Sequence, residues 1–365
     1  MSHALLSPSA SHRWIECPPS VRLTAFMEDK PSAYADEGTL AHSIAEGKLK
    51  FHLGYTKEHI ECEDTPMDEY TDDYVAFVDE QMSVLENPSA FVEQRVDCSK
   101  YVPECYGTCD ALIISDGVLH ICDLKYGTGV KVDAVGNDQL RIYALGAFEM
   151  FSCLYDIITV RMSIFQPRLS HSDTWEISID ELLKWADEVL VPAAKQAWNG
   201  EGEFKAGDHC RFCKARKTCR KRAEYNLELA RYDFEPPATL DNIEIAAILA
   251  KADELVSWVT DVKEYALRQA LSGVTYDGFK VVEGRSNRKY TDENAVVETV
   301  KAAGFDPYEH SVLGITAMNA LLGKKRFSEL LGGLIEKPQG KPTLVPMSDK
   351  RPAIHTANED FKEDK

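Results

Sequence analysis

TCDALIISDGVLHICDLK, residues 108–125, is the stretch on which the fold turns. Two apolar runs, Thr108–Ser115 and Val118–Lys125, flank Asp116-Gly117. That dipeptide suits a tight hairpin turn, because glycine takes a positive φ without steric cost. A two-residue loop fixes the register. Ser115 pairs with Val118, and counting outward sets Asp110 opposite Asp123. Directly opposed residues share a face, with Cβ atoms about 4.5–5.5 Å apart. Lys125, two residues beyond Asp123, points to that face as well. So do Leu112, Ile114, Leu119 and Ile121, which puts the carboxylates at the end of an apolar surface. Both faces of these strands are apolar, so helices are expected to cover the sheet on both sides. Two carboxylates this close repel unless a cation lies between them, and hard oxygen donors suit Mg²⁺ or Mn²⁺. A lysine beside such a centre orients water or stabilises negative charge in a phosphoryl-transfer transition state. The plain alternative is a charged edge hairpin with a solvated face, and the apolar neighbours argue against it.

Outward from the hairpin, Ala90–Val96 and Ile157–Phe165 read as strands and Asn137–Phe151 as the helix between the hairpin and the last strand. Upstream, Ser9–Glu28 reads as two short helical pieces broken at Pro18-Pro19, and Asp36–Leu53 as a helix, followed by an acidic helical stretch to about Leu85. The predicted order is helix, three strands, helix, strand, in an α/β fold. Downstream, Glu181–Trp198 and Asn242–Leu271 read as helices, Gly278–Arg285 as a strand, and Glu293–Ala303 and Thr316–Leu334 as helical again. These patterns predict a first domain over 1–230, a mostly helical region over 231–355 and a polar, disordered tail over 356–365.

The formal net charge of −19 argues against a protein that coats nucleic acid. The charge is uneven, however. Glu58–Glu80 holds ten acidic residues and no Lys or Arg, whereas Arg211–Arg222 holds seven basic residues and no acid. A local basic patch still holds a phosphate backbone, because distant charge is screened. No apolar run approaches the ~20 residues that span a bilayer, and Met1–Ala10 lacks the pattern of a signal peptide. A cytoplasmic location with no membrane partner is expected.

Gly107-Thr108-Cys109-Asp110, Asp123-Leu124-Lys125 and Gln139-Leu140-Arg141-Ile142-Tyr143 resemble, in order and placement, the motifs of RecB-like PD-(D/E)XK nucleases. Glu37-Gly38-Thr39-Leu40-Ala41-His42 resembles that family's upstream G-x-x-x-H motif. The closest forms are single-domain CRISPR-adaptation and phage nucleases, and the whole chain also resembles a phage-borne family of unknown function. The resemblance covers residues 1–225 well and the remainder poorly. It implies a restriction-endonuclease-like core with helical additions. His42, Asp110, Asp123 and the Leu124 carbonyl would be metal ligands, Lys125 would be catalytic, and Gln139 and Tyr143 would line the active site. Glu46, one turn after His42, and Glu93, on the first strand, are candidates for supporting roles. The implied activity is Mg- or Mn-dependent DNA hydrolysis, as an exonuclease on single strands or free ends, in phage recombination or replication alongside a partner protein of that process. The alternative is a non-cleaving DNA-binding or recombination-partner module that keeps the fold.

Ten cysteines point to thiols or metal ligands rather than disulfides in a reducing compartment. Cys98, Cys105, Cys109, Cys122 and Cys153 are expected as small buried hydrophobes. Cys210-x2-Cys213-x5-Cys219 gives three thiolates, one short of a closed site. In the iron–sulfur members of the family the fourth cysteine comes from the N-terminal region, and Cys17 is at the matching place. The resemblance thus implies a [4Fe–4S] cluster on Cys17, Cys210, Cys213 and Cys219. Zinc, with Cys17 or His209 as the fourth ligand, is the alternative, and a basic loop with chance cysteines the plainest reading. The interleaved Arg216, Lys217 and Arg220 are candidate DNA contacts. Arg285, Arg288 and Lys289, with Lys324, Lys325 and Arg326, are either further guides for DNA or a partner, or solvated surface.

Overall fold

A computed structural model describes residues 4–27, 33–60, 62, 64–228, 241–283, 290–308, 312–336 and 343–345. The tail 356–365 and Arg285, Arg288 and Lys289 lie outside the described residues.

At the centre is a five-stranded mixed sheet in the order β1 (Ser89–Asp97), β2 (Tyr106–Ser115), β3 (Gly117–Leu124), β4 (Ile157–Gln166), β5 (His171–Ser178). Neighbours are antiparallel except β3 and β4, which run parallel and are joined by helix α5 (Asp138–Phe151). The turn between β2 and β3 is the expected two-residue loop, with Gly117 at φ +87°. Helix α5 starts where Asn137 accepts the Leu140 N–H at 3.2 Å, an N-cap that satisfies one orphan donor.

Helices cover both faces. One face of the hairpin, Leu112, Ile114, Leu119 and Ile121, packs with Leu140 and Ala144 of α5, with Trp14 of α1 (Ser11–Glu16), and with Leu182 and Ala194 further on. The other, Ala111, Ile113, Cys122 and Leu124, packs with Leu49 of α3 (Ala33–His52) and with Tyr74, Phe77 and Val78 of α4 (Thr65–Ser83). Each fully buried aliphatic side chain contributes roughly 1.5–3 kcal/mol, so the hairpin is held mainly by what lies on its two faces. Cys98, Cys105, Cys109 and Cys122 are buried as expected, but Cys153 is exposed just after α5.

Strand β5 was not expected. Its alternation of Trp175 and Ile177 with Thr174 and Glu176 is the period of a half-buried strand. The helix expected over 181–198 begins at Ile179, behind a reciprocal capping box of Ser178 and Glu181. It runs as α6 (Ile179–Trp185), a wider π turn over Ala186–Leu190 just before Pro192, and α7 (Val191–Asn199). The N-terminal pieces break at Pro18-Pro19 into α1 and α2 (Ser20–Thr24).

The first compact unit runs to Gln269, not to 230. After α8 (Arg220–Leu227), the 30-residue α9 (Asn242–Leu271) belongs mostly to it, because Arg222 of α8 is buried against Glu254 and Asp261 of α9. The second unit, 270–365, carries α10 (Glu293–Ala302), α11 (Ile315–Leu322) and α12 (Lys324–Leu331), with Lys325 and Arg326 exposed at the start of α12. Residues 278–283, expected as part of a strand, form a turn and irregular backbone. Among the described residues, no helix is long and apolar enough to cross a membrane.

Candidate active site

The paired register runs from Ser115–Val118 out to Ala111–Cys122, so Asp110 and Asp123 come side by side at the far end of the hairpin. Neither carboxylate is left to repel the other unassisted. Asp110 Oδ2 accepts the Leu124 N–H at 2.7 Å. Asp123, 3% exposed, turns toward α5, where Gln139 Nε2 donates to its Oδ1 at 3.2 Å. Burial pushes the Asp123 carboxyl up, Lys125 pulls it back, and Asp110 pushes it up again, leaving it above the usual range. Lys125 Nζ stands 2.9 Å from Asp123 Oδ2 and donates to Gln139 Oε1 at 3.0 Å. Burial opposes the ammonium charge, but the two aspartates overcome it and keep Lys125 protonated. Gln139 Nε2 also donates to the Tyr143 hydroxyl, 3.1 Å away and one helical turn on. One amide thus orders lysine, aspartate and phenol together. The glycine of the first motif makes room for that phenol. A Cβ on Gly107 would run into Tyr143 Cε1 and lie 3.1 Å from Pro8 Cγ.

His42 reaches the hairpin from α3. Its Nε2 lies 2.9 Å from the Leu124 carbonyl and 3.4 Å from Asp110 Oδ2, while Nδ1 lies 2.8 Å from the Gly38 carbonyl. Carbonyl oxygens only accept, so both ring nitrogens carry protons in this arrangement. Burial, the largest single influence, lowers the imidazole pKa, but Asp110 and the Gly38 carbonyl outweigh it and bring it to about 9. The start of α3 is fixed by Arg168, whose NH1 meets Glu37 Oε1 at 3.0 Å and whose guanidinium lies over Tyr126. Nothing in the local sequence marked Arg168.

Glu93 does more than its position on a strand announced. It interrupts the β1–β2 pairing opposite Asp110, between Val92–Ala111 and Gln94–Cys109, with φ at +53°. For a non-glycine residue this is a strained backbone, of the kind that concentrates at functional sites. Burial, then Asp110 and Glu46, raise its pKa to about 7. Glu46 itself pairs with Lys50 at 2.5 Å. Among the described residues, no set of three or more His, Cys, Asp or Glu side chains is spaced to hold a metal ion. Two aspartates, an imidazole nitrogen and a backbone carbonyl lie near one another at this end of the hairpin; they are the donor types of a hard divalent cation, but in this arrangement they bond to one another and are not spaced around an ion.

Cys17, Cys210, Cys213 and Cys219 line one tight cavity of about 10 Å³, with Arg13, His209 and Arg216 in its wall. Cys17, Cys210 and Cys213 are buried. Burial pushes the Cys210 thiol up to about 11, against the Gly207 N–H, which favours its thiolate. The Cys213 thiol is also raised by burial, against the Ala215 N–H. Four cysteines lining one cavity are the ligand type of a four-thiolate cluster or a tetrahedral zinc site, although the sulfurs are not spaced around an ion here. His209, the alternative fourth ligand, lies in the same cavity wall, with its Nε2 donating to the Lys205 carbonyl at 3.1 Å.

The basic loop is not laid open as expected. Arg216 Nε meets Asp261 at 3.1 Å, and Lys217 Nζ meets Glu264 at 2.6 Å. Arg222, 1% exposed, meets both Glu254 and Asp261 at 2.6 Å and donates to the Arg216 carbonyl. Of the three candidate DNA contacts, only Arg220 stands exposed, while Arg216 and Lys217 are engaged by an acidic face of α9. The spacing of Glu254, Asp261 and Glu264 on one helical face was the available signal.

A solved structure titled "Crystal structure of SSO0001" matches 59% of this chain and 85% of its own length at 13% identity, with a TM-score of 0.26, too weak a likeness to bear on the fold. A family model described as "Protein of unknown function (DUF2800)" matches residues 3–352, and the chain belongs to the DUF2800 family.

Proposed function

We propose that this protein is a metal-dependent deoxyribonuclease with a PD-(D/E)XK-type core, acting on single-stranded or free-ended DNA in the cytoplasm, and carrying a [4Fe–4S] cluster on Cys17, Cys210, Cys213 and Cys219. The observation that carries the reading is the convergence of Asp110, Asp123, Lys125 and Gln139 with His42 at one end of the hairpin. Asp110, Asp123, His42 Nε2 and the Leu124 carbonyl would hold Mg²⁺ or Mn²⁺, which supplies Lewis-acid activation of water and of a phosphoryl oxygen.

The chain's own groups do the rest. His42 would release its Nε2 proton and keep the Nδ1 proton on the Gly38 carbonyl, which sets ring orientation and tautomer. Lys125, kept charged by Asp123 and steered by Gln139 Oε1, is placed to donate to a non-bridging phosphate oxygen as charge develops there. Tyr143, tethered through Gln139, would position the strand beside it. The four cysteines would tie the N-terminal helices to the loop before α8, closing a segment of roughly 200 residues.

The test is Mn²⁺-dependent degradation of labelled single-stranded DNA, with ends blocked in turn, by the parent and by Asp123→Asn. The parent should degrade DNA and the variant should not; cleavage by Asp123→Asn at the parent rate would remove the hairpin from the chemistry.

A further inference from the structure

The turn between Cys210 and Cys213 carries Phe212, which is 70% exposed and has no part in holding the cysteines. Phe212 lines an open groove of about 490 Å³ with His12, Arg13, Thr24, His209 and Lys214, within the size range of ligand clefts, ~300–1,000 Å³. Two N-terminal helices form one wall and the cysteine loop the other. The Arg13 guanidinium is held by neutral hydroxyls, Ser20 Oγ at 3.0 Å and Thr24 Oγ1 at 3.5 Å, and among the described residues no carboxylate pairs with it. Lys214 Nζ donates to the Met27 carbonyl at 3.1 Å. The His12 ring lies 6.2 Å from that of His209, and His12 Nδ1 lies 3.9 Å from Asp138 Oδ2.

Asp138, which His12 approaches from the groove, immediately precedes Gln139 at the start of α5. The turn at Pro8–Ala10 separates the groove from the candidate active site, with Ser7, Ser9 and Ala10 on the groove and Pro8 against Gly107 and Tyr143. The basic loop is thus two-sided. Arg216, Lys217 and Arg222 meet the carboxylates of α9, whereas Lys214 and Phe212 face the groove.

An exposed aromatic ring beside cations and hydroxyls, in an open groove, is the combination that binds single strands: the ring takes a base and the cations take the phosphates. We propose that this groove binds single-stranded DNA, Phe212 stacking on a base and Arg13 and Lys214 contacting the adjoining phosphates, so that a strand is led to Lys125 and Tyr143. The identity of the ligand as DNA rests on the nuclease reading.

The experiment uses the full-length protein, with iron or zinc content matched between variants, in EDTA so that nothing is cleaved. Binding of a fluorescent oligo(dT) is followed against salt. Phe212→Ala should weaken binding roughly tenfold and Phe212→Trp should restore it. Lys214→Gln should lower the slope of log affinity against log salt by about one. Binding by Phe212→Ala within twofold of the parent, an unchanged slope for Lys214→Gln, or no binding by the parent would each overturn the groove. Tighter binding of oligo(U) of the same length would overturn the assignment to DNA. The two readings separate cleanly. If Asp123→Asn abolishes cleavage while Phe212→Ala binds like the parent, the active site stands and the groove falls. If the parent binds through Phe212 but degrades no DNA with Mn²⁺, the groove stands and the nuclease reading falls.

Discussion

Two buried ionic centres lie in the first compact unit, and they are built on opposite principles. Around Arg222, three cations (Arg216, Lys217 and Arg222) meet three carboxylates (Glu254, Asp261 and Glu264), so charge is matched. At the hairpin end, four carboxylates (Asp110, Asp123, Glu93 and Glu46) face two permanent cations, Lys125 and Lys50, with His42 protonated beside them. Burial is comparable: Arg222 is 1% exposed and Asp123 3%. What separates them is balance. A matched buried cluster holds elements together; one with surplus negative charge and a strained carboxylate beside it is where the proposed metal ion would offset the imbalance.

The largest effects should split the two centres. Asp123→Asn should lower Mn²⁺-dependent cleavage by at least about 10³-fold, yet change the metal-free melting temperature little, because the repulsion from Asp110 that it relieves offsets the acceptor that Lys125 or Gln139 loses. Lys125→Ala should keep most of the metal affinity, read from metal-dependent thermal stabilisation, while the single-turnover rate falls by orders of magnitude. Next comes the cysteine cavity. Anaerobically purified parent should be brown with about four iron atoms per chain, and Cys17→Ser should lose the iron and about 2–4 kcal/mol of stability. Colourless parent with stoichiometric zinc would replace the cluster by the tetrahedral alternative.

Asp261→Asn inverts the pattern of Asp123→Asn. It leaves Arg222 buried and half-paired, so it should cost about 3 kcal/mol in denaturant unfolding, with cleavage per folded molecule unchanged. If Asp261→Asn instead lowers the rate and spares stability, the two centres have been assigned the wrong way round.

The smallest effect concerns Glu93 in metal-free buffer. Its carboxyl is raised from near 4.5 to about 7, mainly by burial and by Asp110. The folded state therefore holds a proton that the unfolded chain releases, and stability is lost as pH rises through that window. Glu93→Gln should match the parent below about pH 4.5 and exceed it above about pH 7, by about 1 kcal/mol after solvent screening. A constant difference across pH would mean that Glu93 does not titrate against the hairpin.

The hairpin was legible because its determinants are local. A two-residue turn and a period of two place Asp110, Asp123 and Lys125 by counting, and one helical turn joins Gln139 to Tyr143. The left-handed backbone at Glu93 was not, since nothing in a non-glycine residue between Val92 and Gln94 announces a break in pairing. Cys17 is joined to the later cysteines by no local pattern, and only the family resemblance named it. The expected boundary at 230 followed a change in composition, whereas the compact unit follows contacts, and Arg222 carries those across to α9. The expected strand near 278–283 has the right residue types but lies in a unit that offers it no neighbouring strand among the described residues.

Gly107 has a further consequence, in the currency of evolution. Any side chain at 107 meets the Tyr143 ring, and that ring is held by the amide that also holds Lys125 and Asp123. Positions 107 and 143 therefore cannot drift independently. A lineage that keeps the phenol is confined to glycine at 107 as well. One that drops the phenol is released at both positions together, so paired loss of Gly107 and Tyr143 in a descendant would mark a fold no longer selected for the proposed reaction.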